Sequence, residues 1–248
     1  MSIAAQAQQP AKTFSITPKV GISVGGLTGD PFFNTATVVY MWPSSFDQSA
    51  DDLRTPEISS HSTQKHSTQI GFAGGIEAQY QFNRYLGIVL GATYRHASVD
   101  YKYENTPFPY KPTSQFSDVY KYNGIKDANW NADYLGVPVM LSVYIWRGLA
   151  VKAGLQMDWM FHEDADATID YSSTSDDLIV LNYSSIYDSH KISMSIPVGL
   201  SYEYKNIVFD ARYNIGATDI AKSSWPWGED PYCRTRAFNV TLGYKFVL

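Results

Sequence analysis

The closing stretch Phe238-Asn239-Val240-Thr241-Leu242-Gly243-Tyr244-Lys245-Phe246-Val247-Leu248 decides the fold. Phe238, Val240, Leu242, Tyr244, Phe246 and Leu248 fall on one face, and Asn239, Thr241, Gly243 and Lys245 fall on the other. That period of two belongs to a β-strand with one apolar face. Working back along the chain, the same alternation recurs over 207–216, 192–204, 149–161, 135–145, 86–95, 70–82 and 20–24. Helical i, i+3, i+4 spacing is hard to find anywhere, so the reading is all-β with eight strands.

The links between these strands are of two kinds. Tight turns occur at Asn83-Arg84, Trp146-Arg147-Gly148 and Lys205-Asn206, lengths and residue types that suit antiparallel hairpins. Long links rich in Ser, Asp, Asn, Pro and Tyr fall near 29–66, 103–128, 163–190 and 221–234. Short and long alternate strictly. An up-and-down antiparallel order then puts every short turn and both termini at one end and every long loop at the other. Residues 1–13 read as an N-terminal tail, in which Ala5-Gln6-Ala7 is expected to be the end of a signal peptide, and residues 14–248 read as one barrel domain.

Composition narrows the class further. The 248 residues are 44% hydrophobic, 17% charged and 15% aromatic, with 19 Tyr, and carry a net charge of -5. Such a chain has ample material for a packed structure. It contains no apolar run of the roughly 18 residues that a membrane-crossing helix needs. A sequence pI near 5.5 argues against nucleic acid as a partner, which calls for clustered Lys and Arg. A single cysteine, Cys233, excludes an intrachain disulfide, and we read it as a loop thiol.

Alternation leaves open which face is outside, since a soluble lipocalin-like barrel would put its apolar face inward. Residue types decide. The polar face is mostly Gly, Ser, Ala, Gln and Asn, small enough for the narrow interior of an eight-stranded barrel. Its sparse charges nearly balance: Lys19, Arg95, Lys152, Arg212 and Lys245 against Glu77, Asp158, Glu203 and Asp210. These are expected to form an interior ion network that plugs the lumen. The apolar face gathers Tyr80, Phe82, Tyr85, Tyr144, Trp146, Trp159, Phe161, Tyr202, Tyr204, Tyr244 and Phe246 toward segment ends, as interfacial aromatic girdles do. The expected architecture is therefore an eight-stranded antiparallel up-and-down transmembrane β-barrel. Its mean hydropathy of -0.24 averages an apolar exterior with a polar interior and hydrophilic loops.

The closing segment Phe238–Phe246, the stretch Tyr134-Leu135-Gly136-Val137-Pro138-Val139-Met140-Leu141 and the alternating long loops resemble the PorT-like outer-membrane β-barrel domain family of Gram-negative bacteria. OmpA- and OmpX-type barrels are more distantly similar. The terminal Leu248 departs from the Phe with which such barrels commonly end. The resemblance implies residence in the outer membrane, among its lipids and lipopolysaccharide, and implies no single reaction.

Several residue groups carry candidate chemistry. His96 and Ser98 share the lipid-facing parity of the third strand, and Asp133 has the same facing on the fourth. A Ser activated by His and oriented by a carboxylate is nucleophile chemistry, similar to that of outer-membrane lipid A deacylases, although those carry the acid across a tight hairpin. His61 and His66 are five apart in the first loop, but a solvated loop is the simpler reading. Asp164, Asp166 and Asp170 have a calcium-loop-like spacing, but Ile169 and Ser175 stand where Gly and Glu are needed, which excludes an EF-hand. No metal or other cofactor is expected. Trp225, Trp227 and Tyr232 stand beside Pro226 and Pro231 as candidate recognition anchors. With Tyr101, Tyr103, Tyr110, Tyr120, Tyr122, Tyr171, Tyr183 and Tyr187 they make a crown too extensive for mere connection. The expected function is non-enzymatic. The loops would bind a protein or glycan, in adhesion or as part of a larger outer-membrane complex; the alternatives are a lipid A-modifying enzyme and a soluble ligand-binding barrel.

Overall fold

The alternating segments pair in sequence order and close on themselves. The computed structural model describes residues 11–29, 33–41, 63–104, 121–172, 178–186, 188–222 and 232–248. Eight long strands among them form the barrel: β1 (Thr13–Gly29), β2 (Ile70–Gln81), β3 (Leu86–Glu104), β4 (Lys121–Trp146), β5 (Leu149–Ser172), β6 (Ile192–Tyr204), β7 (Ile207–Gly216) and β8 (Cys233–Tyr244). Every neighbour is antiparallel, and β8 returns to β1 with Val20 opposite Leu242 and Val24 opposite Phe238. Closure leaves no open edge, the condition for a sheet to cross hydrocarbon. Apolar side chains point outward at exposed positions such as Ile76, Leu90, Leu141, Leu155 and Leu200.

At the turn end, Asn83 Oδ1 accepts hydrogen bonds from the backbone N–H groups of Tyr85 and Leu86, fixing the first hairpin. In the second turn Gly148 has φ 84, a left-handed conformation that glycine adopts without steric cost.

The strands continue far past the alternation seen in sequence. A strand needs about 9–11 residues to cross a bilayer, whereas β3 has 19, β4 has 26 and β5 has 24. Residues 121–128 and 163–172, which the sequence places in loops, lie in these extensions. Thr63–Thr68 adds a short strand beside the top of β3, and Phe33–Met41 pairs with Leu178–Ile186 as a separate ribbon.

Tyr103, Tyr122, Tyr171 and Tyr183, read as loop residues, lie in strands, and three side chains are placed differently from the sequence reading. Tyr144, assigned to the outer girdle, points into the lumen and is 5% exposed. Tyr101, assigned to the loop crown, is on β3 and buried. Cys233 is not in a loop; it opens β8 and is fully buried. Tyrosine satisfies an interface and a polar lumen equally well, and the long loop before β8 hid where that strand begins.

Candidate functional site

The barrel presents two constructions that bear on function, a filled lumen and an outward polar surface at its loop end. All nine charged residues of the small-residue face are buried in the lumen, where they form three groups along the axis. Nearest the turns, Lys245 Nζ lies 2.5 Å from Glu203 and donates to the Tyr144 hydroxyl at 3.2 Å. That hydroxyl donates to Glu203 Oε2 at 3.3 Å and accepts from Gln79 Nε2 at 3.1 Å. At mid-height, Glu77 contacts Lys19 at 2.5 Å, Arg212 at 2.5 Å and Lys152 at 3.4 Å. Asp210 contacts Lys152 at 2.9 Å and both Lys19 and Arg212 at 3.2 Å. Toward the loops, Asp158 accepts from Ser195 Oγ and Gln156 Nε2, each at 2.6 Å, while Arg95 stands off at 3.8 Å. The Arg95 guanidinium lies over the Tyr134 ring at 4.2 Å, a cation–π contact.

Above these charges the interior turns apolar. Leu27, Ala97, Val99, Tyr101, Trp130, Ala132, Tyr134, Met160, Ile220, Ala221 and Cys233 form one buried cluster. Ile220 and Ala221 come from the link after β7, which folds inward: Ile220 N–H donates to the Cys233 carbonyl, and His190 N–H donates to the Ile220 carbonyl. Trp130 is fully buried and donates Nε1–H to Glu163 at 3.0 Å. Sequence reasoning missed this plug. Its signal was present in Trp130, Ala132 and Tyr134, which alternate with Asn129, Asn131 and Asp133.

The outside of the same strands is polar at that level. Cross-strand register aligns His96, Asp133 and His162 in one row, Ser98, Asn131 and Asp164 in the next, and Asp100, Asn129 and Asp166 in a third. Directly below run Phe72, Tyr94, Phe161 and Trp159, with successive ring centroids 6.0, 6.3 and 6.2 Å apart. His96 Nδ1 is 2.7 Å from Asp133 Oδ1, and the Tyr94 hydroxyl donates to the same oxygen at 2.8 Å. Asp133 lies above the apolar band and its carboxyl is held below the usual range. Partial burial opposes ionisation there, but the hydrogen bonds to His96 and Tyr94, and then the charges of His96 and His162, outweigh it. The structure thus joins His96 to Asp133. Ser98 has the same facing, opposite Asn131, and among the described residues no hydrogen bond links it to His96. Neither Tyr94 nor His162 was singled out from sequence; an irregularity in pairing between Asp133 and Tyr134 turns Phe161 and His162 outward together and breaks the alternation there.

Of the proposed anchors, Tyr232 is exposed, with the Arg234 guanidinium 4.6 Å over its ring. Trp225 and Trp227 lie outside the described residues, as does His61. His66 is opposite Tyr101 in the strand beside β3. Asp164, Asp166 and Asp170 are on β5. Among the described residues no three His, Cys, Asp or Glu side chains converge as a metal site.

Residues 4–222 match the family described as outer membrane protein beta-barrel domain. Solved structures similar to the chain include Ail, the attachment invasion locus protein of Yersinia pestis, in complex with the heparin analogue sucrose octasulfate. It is 13% identical, with TM-score 0.42 over 95% of this chain and 99% of that one. The outer membrane protein OprG from Pseudomonas aeruginosa is 14% identical, with TM-score 0.41 over 96% and 99%. Neisserial surface protein A is 14% identical, with TM-score 0.35 over 94% and 95%. No curated protein matches the sequence.

Proposed function

We propose a binding role at the cell surface for this chain, which belongs to the outer membrane protein beta-barrel domain family and resides in the bacterial outer membrane. Within that family we place it in the PorT-like group. It acts without catalysis, through its loop end, in adhesion or as an accessory subunit of an outer-membrane complex. The barrel domain spans 14–248, with outer-membrane lipids and lipopolysaccharide around it and a protein or glycan at the crown. The observation that carries this reading is the length of β3, β4 and β5. They continue well beyond what a bilayer requires and stand on a lumen filled by ions and an apolar plug, so the elaborated part of the molecule is its outer surface. Trp225, Trp227 and Tyr232 are the proposed anchors. Purification from native membranes in mild detergent, with wild type beside the triple alanine variant of these residues, tests it. A protein or glycan retained by wild type and lost by the variant supports the reading. Copurification that is absent from both, or identical in both, overturns it.

A second reading has one observation in its favour: His96 and Asp133 pair at 2.7 Å on the outer face of the barrel just above its apolar band, and Ser98 is two residues from His96 on the same face. Lipid A deacylation measured for wild type and Ser98→Ala decides it. Activity that disappears in the variant would establish the enzyme; activity that is absent or unchanged rules out this serine as the nucleophile.

A further inference from the structure

The buried charges of the lumen do not cancel. Among the described residues five buried cations (Lys19, Arg95, Lys152, Arg212, Lys245) face four buried anions (Glu77, Asp158, Glu203, Asp210), a net charge of +1. An uncompensated charge enclosed by protein and lipid is costly, several kcal/mol per ion after relaxation, so something in the lumen must answer it.

A cavity of about 40 Å³ lies among these residues, lined by Lys19, Arg95, Gln156, Arg212, Asn239 and Thr241 together with Glu77 and Asp210. A water needs about 10–15 Å³ of such volume, so the space admits roughly three waters or one small ion. Four polar atoms of its lining residues are buried without a hydrogen-bond partner: Arg95 Nε, Arg212 Nε, Gln156 Oε1 and Asn239 Oδ1. Arg95, Gln156 and Arg212 are each more than nine-tenths buried. Two of the orphaned groups are guanidinium N–H donors on opposite walls, β3 and β7. Buried donors left unmet each cost about 1–3 kcal/mol, more for charged groups.

We propose that the lumen cavity binds one monovalent anion of halide size between Arg95 and Arg212, with water completing the contacts to Gln156 and Asn239. One such anion brings the buried charge to zero and meets both orphaned donors. A space of about 40 Å³ that already borders the Glu77 and Asp210 carboxylates suits a small, singly charged ion. The anion is held and does not pass, because the apolar cluster above and the Lys245–Glu203–Tyr144 group below close the lumen on either side.

The test uses the whole folded chain in detergent micelles, with bromide as the probe. Crystals grown in sodium bromide should show one anomalous peak between the Arg95 and Arg212 guanidinium groups. The unfolding midpoint should rise saturably with sodium bromide and stay flat with sodium gluconate at equal ionic strength. At a bromide concentration one hundred times Kd the folded-to-unfolded ratio should rise about 100-fold. Asn239→Asp places a carboxylate on β8 directly opposite Arg212 and brings the buried charge to zero, so the peak and the bromide response should both vanish. Arg95→Gln reaches the same net charge by removing a cation and should behave alike, which guards against failure of either variant to fold. Waters alone at the site, an adventitious ion only at exposed positions, a lysine found neutral with no halide bound, or a bromide response that persists in both variants would each overturn the proposal.

Discussion

Replacing Glu77 by Gln keeps the shape of the lumen and removes one of the two carboxylates that organise its centre. Glu77 faces Lys19 at 2.5 Å, Arg212 at 2.5 Å and Lys152 at 3.4 Å. With an effective dielectric constant of about 20, each contact is worth about 5–7 kcal/mol before desolvation. Desolvation of the carboxylate and of three cations offsets most of that gain. What remains on removal is the cost of buried cations left with fewer anions, about 3–5 kcal/mol. Asp210 still contacts all three cations, which places the expected loss toward the lower figure. Protein folded in lipid vesicles and unfolded with urea, followed by tryptophan fluorescence, reads this loss directly. The double variant Glu77→Gln, Lys152→Met removes one charge of each sign, and its cost should fall short of the sum of the single costs by about 1–3 kcal/mol. A cost below about 1 kcal/mol for Glu77→Gln, together with strict additivity in the double variant, would refute the view that the ion cluster holds the barrel wall together.

Trp130→Ala should destabilise the barrel by about 3–5 kcal/mol, because the indole is fully buried and Glu163 loses one of its three hydrogen-bond donors, keeping Ser189 and Lys191; urea unfolding checks it. Leu141→Arg, at an outward position in the middle of the membrane-crossing part of β4, should cost about 2–4 kcal/mol in vesicles, and a value near zero would move the hydrocarbon band elsewhere. Asp133 contributes stability that is fully present above its ordinary pKa of about 3.9, and that is lost as pH falls through its depressed folded value. Asp133→Asn should flatten the unfolding midpoint below that pH relative to wild type, and an unchanged acid profile would show that its bonds to His96 and Tyr94 contribute nothing.

Sequence alone disclosed the parts of this molecule that obey a single alternation. The eight strands, their antiparallel order and the inward facing of Lys19, Glu77 and Asp210 follow from period two and residue size. Pairing across the lumen did not follow, because Lys19, Lys152 and Arg212 come from β1, β5 and β7 and no local pattern ties them. Tyr144 was ambiguous for a different reason. Its ring suits the interface and its hydroxyl suits the lumen, and only the proximity of Lys245 and Glu203 decides between them. The His96–Asp133 pair was legible as shared facing, whereas the contribution of Tyr94 to the same carboxylate required the register of β3 against β4.

The strands that run past the membrane carry a second, inverted code. Along β4, Leu135, Val137, Val139 and Leu141 point outward, whereas Trp130, Ala132 and Tyr134 point inward. The apolar residues change sides between Tyr134 and Leu135. On β5 the change falls between Met160, which is buried, and Phe161, which is exposed. On β3 it falls between Tyr94, which reaches toward the aromatic row, and Ala97, which is buried in the plug. Lipid requires apolar groups outside and water requires them inside, so each reversal marks where its strand leaves hydrocarbon. The three reversals lie beside one another in the register of β3 to β5, and the His96, Asp133 and His162 row is the first one above them. The molecule is in this sense two barrels in one continuous sheet, a membrane barrel with a polar filling below and a water-facing barrel wall with an apolar core above. A connection between hairpins needs no core of its own. A wall with a fully buried Trp130 at its centre holds its outer surface in a fixed shape, which is what the proposed recognition role would require.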